Sequence, residues 1–310
     1  PYLSARTGVF GIWTGSKQTA ELWSYLANRA SSNKPLELAG FDCQFTGAAS
    51  RQYLADDIRQ LADKYAPKIG TARIDALVGQ IGITQPAAKQ PREIEQALLV
   101  IDELQTALTT ATKTSSKADS KHVMFWQQNL KSIKQQLLNE SREYDGKGMD
   151  MRRDQQMAQN LVWLSNKLYP DRKLIVWAAS FHIMRNPAEI EVLDDSFSYR
   201  ELKQMGHFVH EQLGSQVYTI GFTANDGVAG PWMARPFAVS VPPAGTLENI
   251  CQSAGLENGL FALDPADEGG NWLTTKILAR PLGYSWMRAS WHRHFDAMVF
   301  NKTMSPSTSR

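Results

Sequence analysis

The residues best suited to chemistry begin with a polar segment at 152–160, which reads Arg-Arg-Asp-Gln-Gln-Met-Ala-Gln-Asn. On a helix, Arg153, Gln156 and Asn160 follow one another at three- and four-residue steps, so their side chains share one side. The planar fork of an arginine suits an oxyanion or a carboxylate, and Asn160 is placed to orient it. The same segment also fits a solvated helix start in which Asp154 interacts with the helix dipole. The spacing alone leaves both interpretations open.

A second candidate is His182, which follows an apolar run at 173–179. In open α/β sheets, ligands bind just beyond the carboxyl ends of the strands, which is the position predicted for this histidine. Because a histidine ordinarily titrates near pH ~6.5, it suits general acid or base catalysis. Arg185 would add a cation to the same site, and Asp42 occupies the equivalent position after a shorter apolar strand at 36–41. The structural alternatives are a hydrogen-bonding histidine and an aspartate that caps a turn or helix.

Metal and cofactor sites are not predicted. His207 and His210 stand three residues apart on a predicted helix, a spacing that can chelate a metal, but no obvious further ligand completes a set. His292 and His294 alternate along the chain and are interpreted as structural. The sequence contains no G-x-S-x-G, no H-E-x-x-H, no Walker-type phosphate loop and no G-x-G-x-x-G, which are the common nucleophile, zinc and cofactor templates. We therefore expect neither a metal nor a cofactor.

Bulk composition narrows the class of partner. Of the 310 residues, 43% are hydrophobic, which is enough for a sizeable core. The 33 Lys and Arg nearly cancel the 31 Asp and Glu, and no basic cluster stands out, so nucleic acid is not an expected partner. No apolar run reaches the roughly 20 residues that span a bilayer, so no membrane span is expected. Cys43 and Cys251 lie far apart and are interpreted as two buried, unlinked thiols.

The elements that position these residues are predicted from hydrophobic periodicity. Apolar residues repeat in heptad spacing from Ile94 to Ala111 and again from Trp126 to Leu137, on either side of a polar loop. They predict an antiparallel helical hairpin. Elsewhere, predicted helices alternate with apolar strands, so we predict an α/β fold with a mostly parallel sheet covered by helices, interrupted by the inserted hairpin. The predicted domains are a first α/β part at 1–91, the hairpin at 92–144, a second α/β part at 145–303 and a disordered tail at 304–310.

Five segments, taken in order, resemble one protein family. Residues 9–45 run from a Trp-containing loop through a helix to a strand that ends in Gly-Phe-Asp, and residues 152–164 carry Arg-Asp-x-x-Met-Ala-x-Asn-x-x-Trp-Leu. Residues 173–182 resemble a Val-Trp-Ala-His-Asn-x-His strand end. A Met-Gly helix and a Gly-Phe strand follow within 205–222, and a closing Phe-Asp strand lies at 295–300. In this order and spacing the chain resembles the erythromycin esterases along almost all of its length.

The resemblance implies a hydrolase that cleaves an ester or macrolactone with an activated water molecule and without a covalent nucleophile. In that scheme a His general base is assisted by a Glu, while Arg and further His residues bind and polarise the substrate. Arg153 and His182 match family positions and are assigned the catalytic roles. The residues to which substrate binding is assigned are Asp42, Asp154, Asn160 and Arg185. The implied partner is a small-molecule ester or lactone, without a cofactor.

This sequence departs from the family pattern in two places. The Gly-Glu-x-x-His-Gly segment, which would supply the general base, lies upstream in the family, and the chain as given begins too late to include it. The 310 residues alone are therefore expected to lack hydrolytic activity. Ala179 and Ser180 stand where the family has His and Asn, so an ester other than a macrolide is the expected substrate. Two alternatives stay open: a non-catalytic relative that binds a small molecule, and a scaffold whose hairpin is the partner surface.

Overall fold

The computed structural model describes residues 7–82, 90–113, 116–140, 151–193, 197–267 and 269–310. The chain divides into two compact units. The first comprises Pro1–Thr14 and Glu21–Pro170, and the second comprises Gly15–Ala20 and Asp171–Arg310. A short N-terminal segment therefore belongs with the C-terminal half of the sequence.

The first unit is helical in its described residues. Its helices are α1 (Gly11–Thr14), α2 (Ala20–Ala30, whose first residue belongs to the second unit), α3 (Ala48–Tyr65), α4 (Thr71–Gly82), α5 (Pro91–Thr112), α6 (Lys117–Glu140) and α7 (Arg152–Trp163). A 3-10 turn at Pro67–Ile69 precedes Gly70, whose φ of 84° is a left-handed conformation that favours glycine. After α7 the chain continues as a π-helical segment at Leu164–Leu168. None of the described helices is long and apolar enough to cross a membrane.

Helices α5 and α6 pack antiparallel around a shared apolar core. Gln127 in the middle of α6 donates to Thr109 near the end of α5 at 3.3 Å, and Lys134, later in α6, pairs with Asp102, earlier in α5, at 2.5 Å. The heptad positions are buried in this core: Ile94, Ala97, Ile101, Leu104, Leu108, Trp126, Leu130, Ile133 and Leu137. Helices α3 and α4 extend the same core. Each fully buried Leu or Ile contributes about 1.5–3 kcal/mol relative to exposure, so this core stabilises the unit.

The second unit contains two small sheets. Its described strands are β1 (Glu191–Val192), β2 (Ile220–Ala229), β3 (Phe237–Val239), β4 (Asn258–Ala262), β5 (Ile277–Ala279), β6 (Met287–Ala289) and β7 (Ala297–Met304). Its α-helices are α8 (Ser180–Ile183), α9 (Met205–Leu213) and α10 (Leu247–Ser253). The strand orders are β1-β6-β5, wholly antiparallel, and β3-β2-β7-β4, mixed. In the mixed sheet β2 and β7 are parallel, with Ile220 opposite Ala297, while β3 and β4 are antiparallel to their neighbours.

The prediction of a mostly parallel sheet covered by helices is wrong. Helices dominate the described residues, and β2–β7 is the parallel pair among otherwise antiparallel strands. The two apolar runs predicted as strands, 36–41 and 173–179, belong to neither sheet. Ile175, in the second of these runs, is 99% exposed. Apolar composition suits a strand, but a strand forms only where another segment supplies the ladder of hydrogen bonds, and local composition does not specify that segment.

Composition predicts a disordered tail at 304–310, but Met304 ends β7 and residues after it are hydrogen-bonded within the second unit. The Ser307 amide donates to the Gly230 carbonyl at 3.1 Å, and the Lys17 amide donates to the Thr308 carbonyl at 2.8 Å. Backbone pairing, to which a polar sequence gives no clue, therefore positions this segment.

Candidate functional site

Asp42 and Arg153 form a bidentate ion pair in the first unit. Arg153, in the first turn of α7, donates from Nε to Asp42 Oδ1 at 3.0 Å and from Nη2 to Oδ2 at 2.5 Å. Burial lowers the pKa of the guanidinium, but the hydrogen bonds and charge of Asp42 more than offset it, so the pKa lies above its ordinary value. About a third of each side chain is exposed, 29% and 35%. An arginine carries more N–H donors than one carboxylate accepts, so this fixed cation can also bind a substrate oxygen.

Asn160, on α7, is the centre of a buried hydrogen-bond network. Its Oδ1 accepts from Gln128 Nε2 at 2.7 Å and from Gln156 Nε2 at 2.9 Å. Its Nδ2 donates to the Phe41 carbonyl at 2.7 Å and to Ser132 Oγ at 2.9 Å. The four bonds use both lone pairs and both N–H groups of the amide. Asn160 therefore ties α7 to α6 and holds the residue just before the aspartate of the ion pair.

Two further polar groups near this ion pair face the protein interior. Asp154 is only 4% exposed and lies in the first turn of α7, where a carboxylate interacts favourably with the helix dipole. Cys43 is buried and free, and burial raises the pKa of its thiol to about 12. It is therefore protonated at neutral pH and is no nucleophile. Cys251 is also buried and free, so the prediction of two unlinked core thiols is confirmed.

His182 lies in α8, a single helical turn in the second unit. Its backbone N–H donates to the Ala179 carbonyl at 2.9 Å. Its ring packs edge-on against Phe181, with centroids 5.2 Å apart, and Phe181 in turn contacts the ring of Tyr199 at 6.2 Å. The imidazole is half-buried. The structure thus places His182 in a short turn after the apolar run, as the sequence predicts, but that run is not a strand.

Arg185 is engaged with groups of its own unit. Its Nη1 donates to Asp296 Oδ1 at 2.8 Å, and its Nη2 donates to the His292 carbonyl at 3.2 Å. The side chain is 19% exposed. The cation predicted to bind substrate is therefore paired internally. Sequence reasoning did not select Asp296 as a site residue, and its one signal is its place in the closing Phe-Asp motif.

Two histidines beside the Arg185–Asp296 pair are held neutral. His294 is fully buried, with its Nδ1 2.8 Å from the Arg185 carbonyl, and burial lowers the pKa of its imidazole to about 4. His210 Nε2 lies 2.8 Å from Thr219 Oγ1, and burial together with the charge of Arg185 lowers its pKa to about 4. Neither ring is an imidazolium at neutral pH, so Arg185 and Asp296 carry the charges of this cluster.

The described residues contain no group of three or more His, Cys, Asp or Glu side chains that could hold a metal ion. His207 Nε2 lies 3.1 Å from Glu211 Oε1 on the same helix, whereas His210 faces Thr219. His292 Nδ1 lies 2.9 Å from the Leu273 carbonyl. The histidines of both pairs, His207 with His210 and His292 with His294, thus make contacts within the second unit.

The sequence analysis missed a buried polar cluster beside β2. Arg280 is 2% exposed, and its guanidinium donates to backbone carbonyls of β2 and of the loop after β3, and stacks 4.5 Å above the Trp286 ring. Glu248 is fully buried and accepts from the Thr223 hydroxyl at 2.5 Å and the Arg280 amide at 3.0 Å. Burial raises the pKa of the Glu248 carboxyl. The partners lie up to 56 residues apart, so no local spacing marks this cluster.

The same fold occurs in several solved structures. A Bacillus cereus protein has a TM-score of 0.77 at 18% identity, over 100% of this chain and 79% of that protein. A succinoglycan biosynthesis protein has a TM-score of 0.72 at 14% identity, over 96% and 72% of the two chains. A mutant of the erythromycin esterase EreC in its open conformation has a TM-score of 0.61 at 17% identity, over 92% and 72%. The chain therefore shares its fold with these three proteins.

Comparison of the sequence identifies the family to which the chain belongs. The sequence model of the Erythromycin esterase family matches residues 4–304, and the chain belongs to that family. A protein of Bacillus subtilis (strain 168) named "Putative hydrolase YbfO" is 23% identical over 330 residues, which cover 99% of this chain and 72% of the relative. The family resemblance predicted from the ordered motifs is thus confirmed. Family and relative together support a hydrolase-like function, and the family implies a small-molecule substrate.

Proposed function

We propose that this protein is a hydrolase of the erythromycin esterase type that cleaves a carboxylic ester or lactone with an activated water molecule. The observation that carries the proposal is the family match along residues 4–304. In the proposed reaction the water oxygen attacks the carbonyl carbon while a general base takes its proton. The C–O bond to the alcohol then breaks, and the alkoxide takes up that proton, leaving an acid and an alcohol.

Roles follow from the family positions and from the contacts. We assign to His182 the polarisation of the substrate carbonyl, and to Arg153 the binding of a substrate oxygen, because Asp42 holds its guanidinium in one orientation. Asp42 then acts through Arg153. All four hydrogen-bonding positions of the Asn160 amide are used inside the protein, so none is left for a substrate. We therefore assign to Asn160 a supporting role, through α7, for Asp42 and Arg153. The general base is assigned to the Gly-Glu-x-x-His-Gly segment of the family, a motif that these 310 residues do not contain.

A second candidate is a non-catalytic relative that binds a small molecule. The observation that favours it is Ala179, which stands where the family motif has a histidine and which immediately precedes α8. A methyl group can neither polarise a carbonyl nor move a proton. If both motif histidines are required for turnover, this protein retains binding alone.

The experiment uses the chain together with any upstream residues that its gene encodes. This protein is incubated with macrolides, lactones and simple esters, and mass spectrometry detects the gain of one water molecule. The variant His182→Ala is compared with His122→Ala, which removes an exposed histidine of α6. Hydrolysis that is lost in the first variant and kept in the second supports the proposal. Undiminished turnover in His182→Ala contradicts the role of His182.

The binding alternative is tested on the same panel. Native mass spectrometry or calorimetry measures whether any compound binds without being hydrolysed. Binding without turnover, weakened by Arg153→Lys because a lysine cannot keep the bidentate pair, favours the non-catalytic relative.

A further inference from the structure

The turn that carries His182 is in direct backbone contact with α9. A Cβ atom added to Gly206, in the first turn of α9, would lie 2.0 Å from the Ile183 carbonyl oxygen and 2.7 Å from that of Met184. No side chain fits there, so only a glycine permits this approach. Met184 is also fully buried. The segment immediately after His182 is therefore fixed on one side.

A reciprocal pair of hydrogen bonds fixes the next residue. The Arg185 amide donates to the His294 carbonyl at 3.2 Å, and His294 Nδ1 lies 2.8 Å from the Arg185 carbonyl. Because a carbonyl only accepts, Nδ1 of the neutral ring must carry the hydrogen. The uncharged, fully buried imidazole thus binds the end of the turn from the opposite chain segment.

Asp296 connects this turn to the mixed sheet. One carboxylate oxygen accepts from Arg185 Nη1 at 2.8 Å, and the other accepts from the Thr219 amide at 2.6 Å, one residue before β2 begins. The Asp296 amide in turn donates to the Thr219 carbonyl at 2.8 Å. Asp296 itself stands one residue before β7. A single carboxylate therefore joins Arg185 to the starts of the parallel strands β2 and β7.

We propose that Asp296 is a positioning residue for His182, acting through Arg185, and that Arg185 belongs to this framework instead of binding substrate. The inference rests on the proposed function, since it concerns the residue to which the polarising role is assigned. Two residues separate His182 from Arg185, so loss of the Asp296 contact loosens this end of the turn and lets the imidazole shift. A displacement of about 1 Å in an active site costs on the order of 100-fold in rate.

The first test needs no substrate. Histidine-labelled protein is studied by NMR, and the His182 ring signals are identified by their loss in His182→Gln. Asp296→Asn should shift and broaden these signals while those of His207, on α9 of the same unit, keep their dispersion and report that the second unit is folded. The matched control is Glu189→Gln, which breaks the exposed ion pair of Glu189 with Arg293, at 2.6 Å, in the same unit. Its His182 signals should match the wild type.

Unchanged His182 signals in folded Asp296→Asn would overturn the proposal. If that variant does not fold, Arg185→Lys is interpreted in the same way, because a lysine keeps the charge but cannot reach both Asp296 and the His292 carbonyl.

The second test uses an ester that the protein hydrolyses. Asp296→Asn should lower kcat about 10- to 100-fold and change KM less than about threefold, while Glu189→Gln keeps both values. An increase in KM with unchanged kcat would overturn the positioning role and would indicate that Arg185 binds substrate. If the wild-type protein, tested together with its upstream residues, hydrolyses no compound of the panel, the proposed function fails, and the NMR comparison still decides whether Asp296 positions His182.

Discussion

Asn160→Ala is the perturbation for which the structure supports the most detailed prediction. The change removes four hydrogen bonds, to Gln128, Gln156, Ser132 and the Phe41 carbonyl. Each such bond contributes about 1 kcal/mol net, and a partner left buried without one costs more. Gln128 and Gln156 are themselves buried, so part of the loss is recovered only by a water molecule that enters the space left by the side chain. We therefore expect a decrease of about 2–4 kcal/mol in the free energy of unfolding.

The assay is urea denaturation followed by circular dichroism, with Asn139→Ala as the matched control. Asn139 lies on α6 and accepts one hydrogen bond, from Gln135 at 2.6 Å on the same helix. Its loss should cost less than about 1 kcal/mol. Because Asn160 holds the residue before Asp42, Asn160→Ala should also weaken ligand or substrate binding through the Asp42–Arg153 pair.

Equal costs for the two asparagine variants would refute the reasoning, since they would show that the network contributes no more than a single bond on a helix surface. A large loss of stability with unchanged binding would refute the link between Asn160 and the ion pair alone.

Three further predictions concern buried ionisable groups. The folded pKa of His294 is about 4, below its ordinary value of 6.5, so the unfolded chain binds the proton first, and stability present above pH 6.5 falls as the pH approaches 4. The loss is up to about 3 kcal/mol in the free energy of unfolding. Denaturation at several pH values should show that this free energy depends less steeply on pH in His294→Gln than in the wild type. An equal dependence on pH would contradict the assignment. Burial raises the pKa of the Cys43 and Cys251 thiols to about 12, so native protein at pH 8 should react with iodoacetamide far more slowly than urea-unfolded protein, as mass spectrometry can measure; equal rates would argue against burial. Arg280→Ala should lower the free energy of unfolding by about 3–5 kcal/mol because it leaves buried acceptors unpaired, whereas the exposed Arg288→Ala should have little effect; similar urea midpoints would contradict this role.

Local periodicity was sufficient for the helical core, and the resemblance of five ordered motifs was sufficient for the family. The heptad repeats predicted two helices with one buried side, and α5 and α6 bury those residues. Such a pattern lies within one continuous window of chain, so it does not depend on distant segments. The order of five short motifs likewise identified the family, which the match along residues 4–304 confirms. Helix α4 escaped this reasoning, because Gly79 costs about 1 kcal/mol in a helix interior, a cost that burial of Ile74 and Leu77 offsets.

By itself, then, the sequence determined the helical pair, the buried thiols and the family, and it supplied the residues that remain candidates for the chemistry. Only the tertiary structure decided which partners those residues have. Arg153 with Asp42 and Arg185 with Asp296 are each separated by 111 residues, and nothing in either local pattern indicates the pairing. The run at 173–179 shows the same limit, since strand formation requires hydrogen bonds from another segment. Side-chain type and spacing are properties of a local window, whereas ion pairs and sheets depend on where distant segments meet.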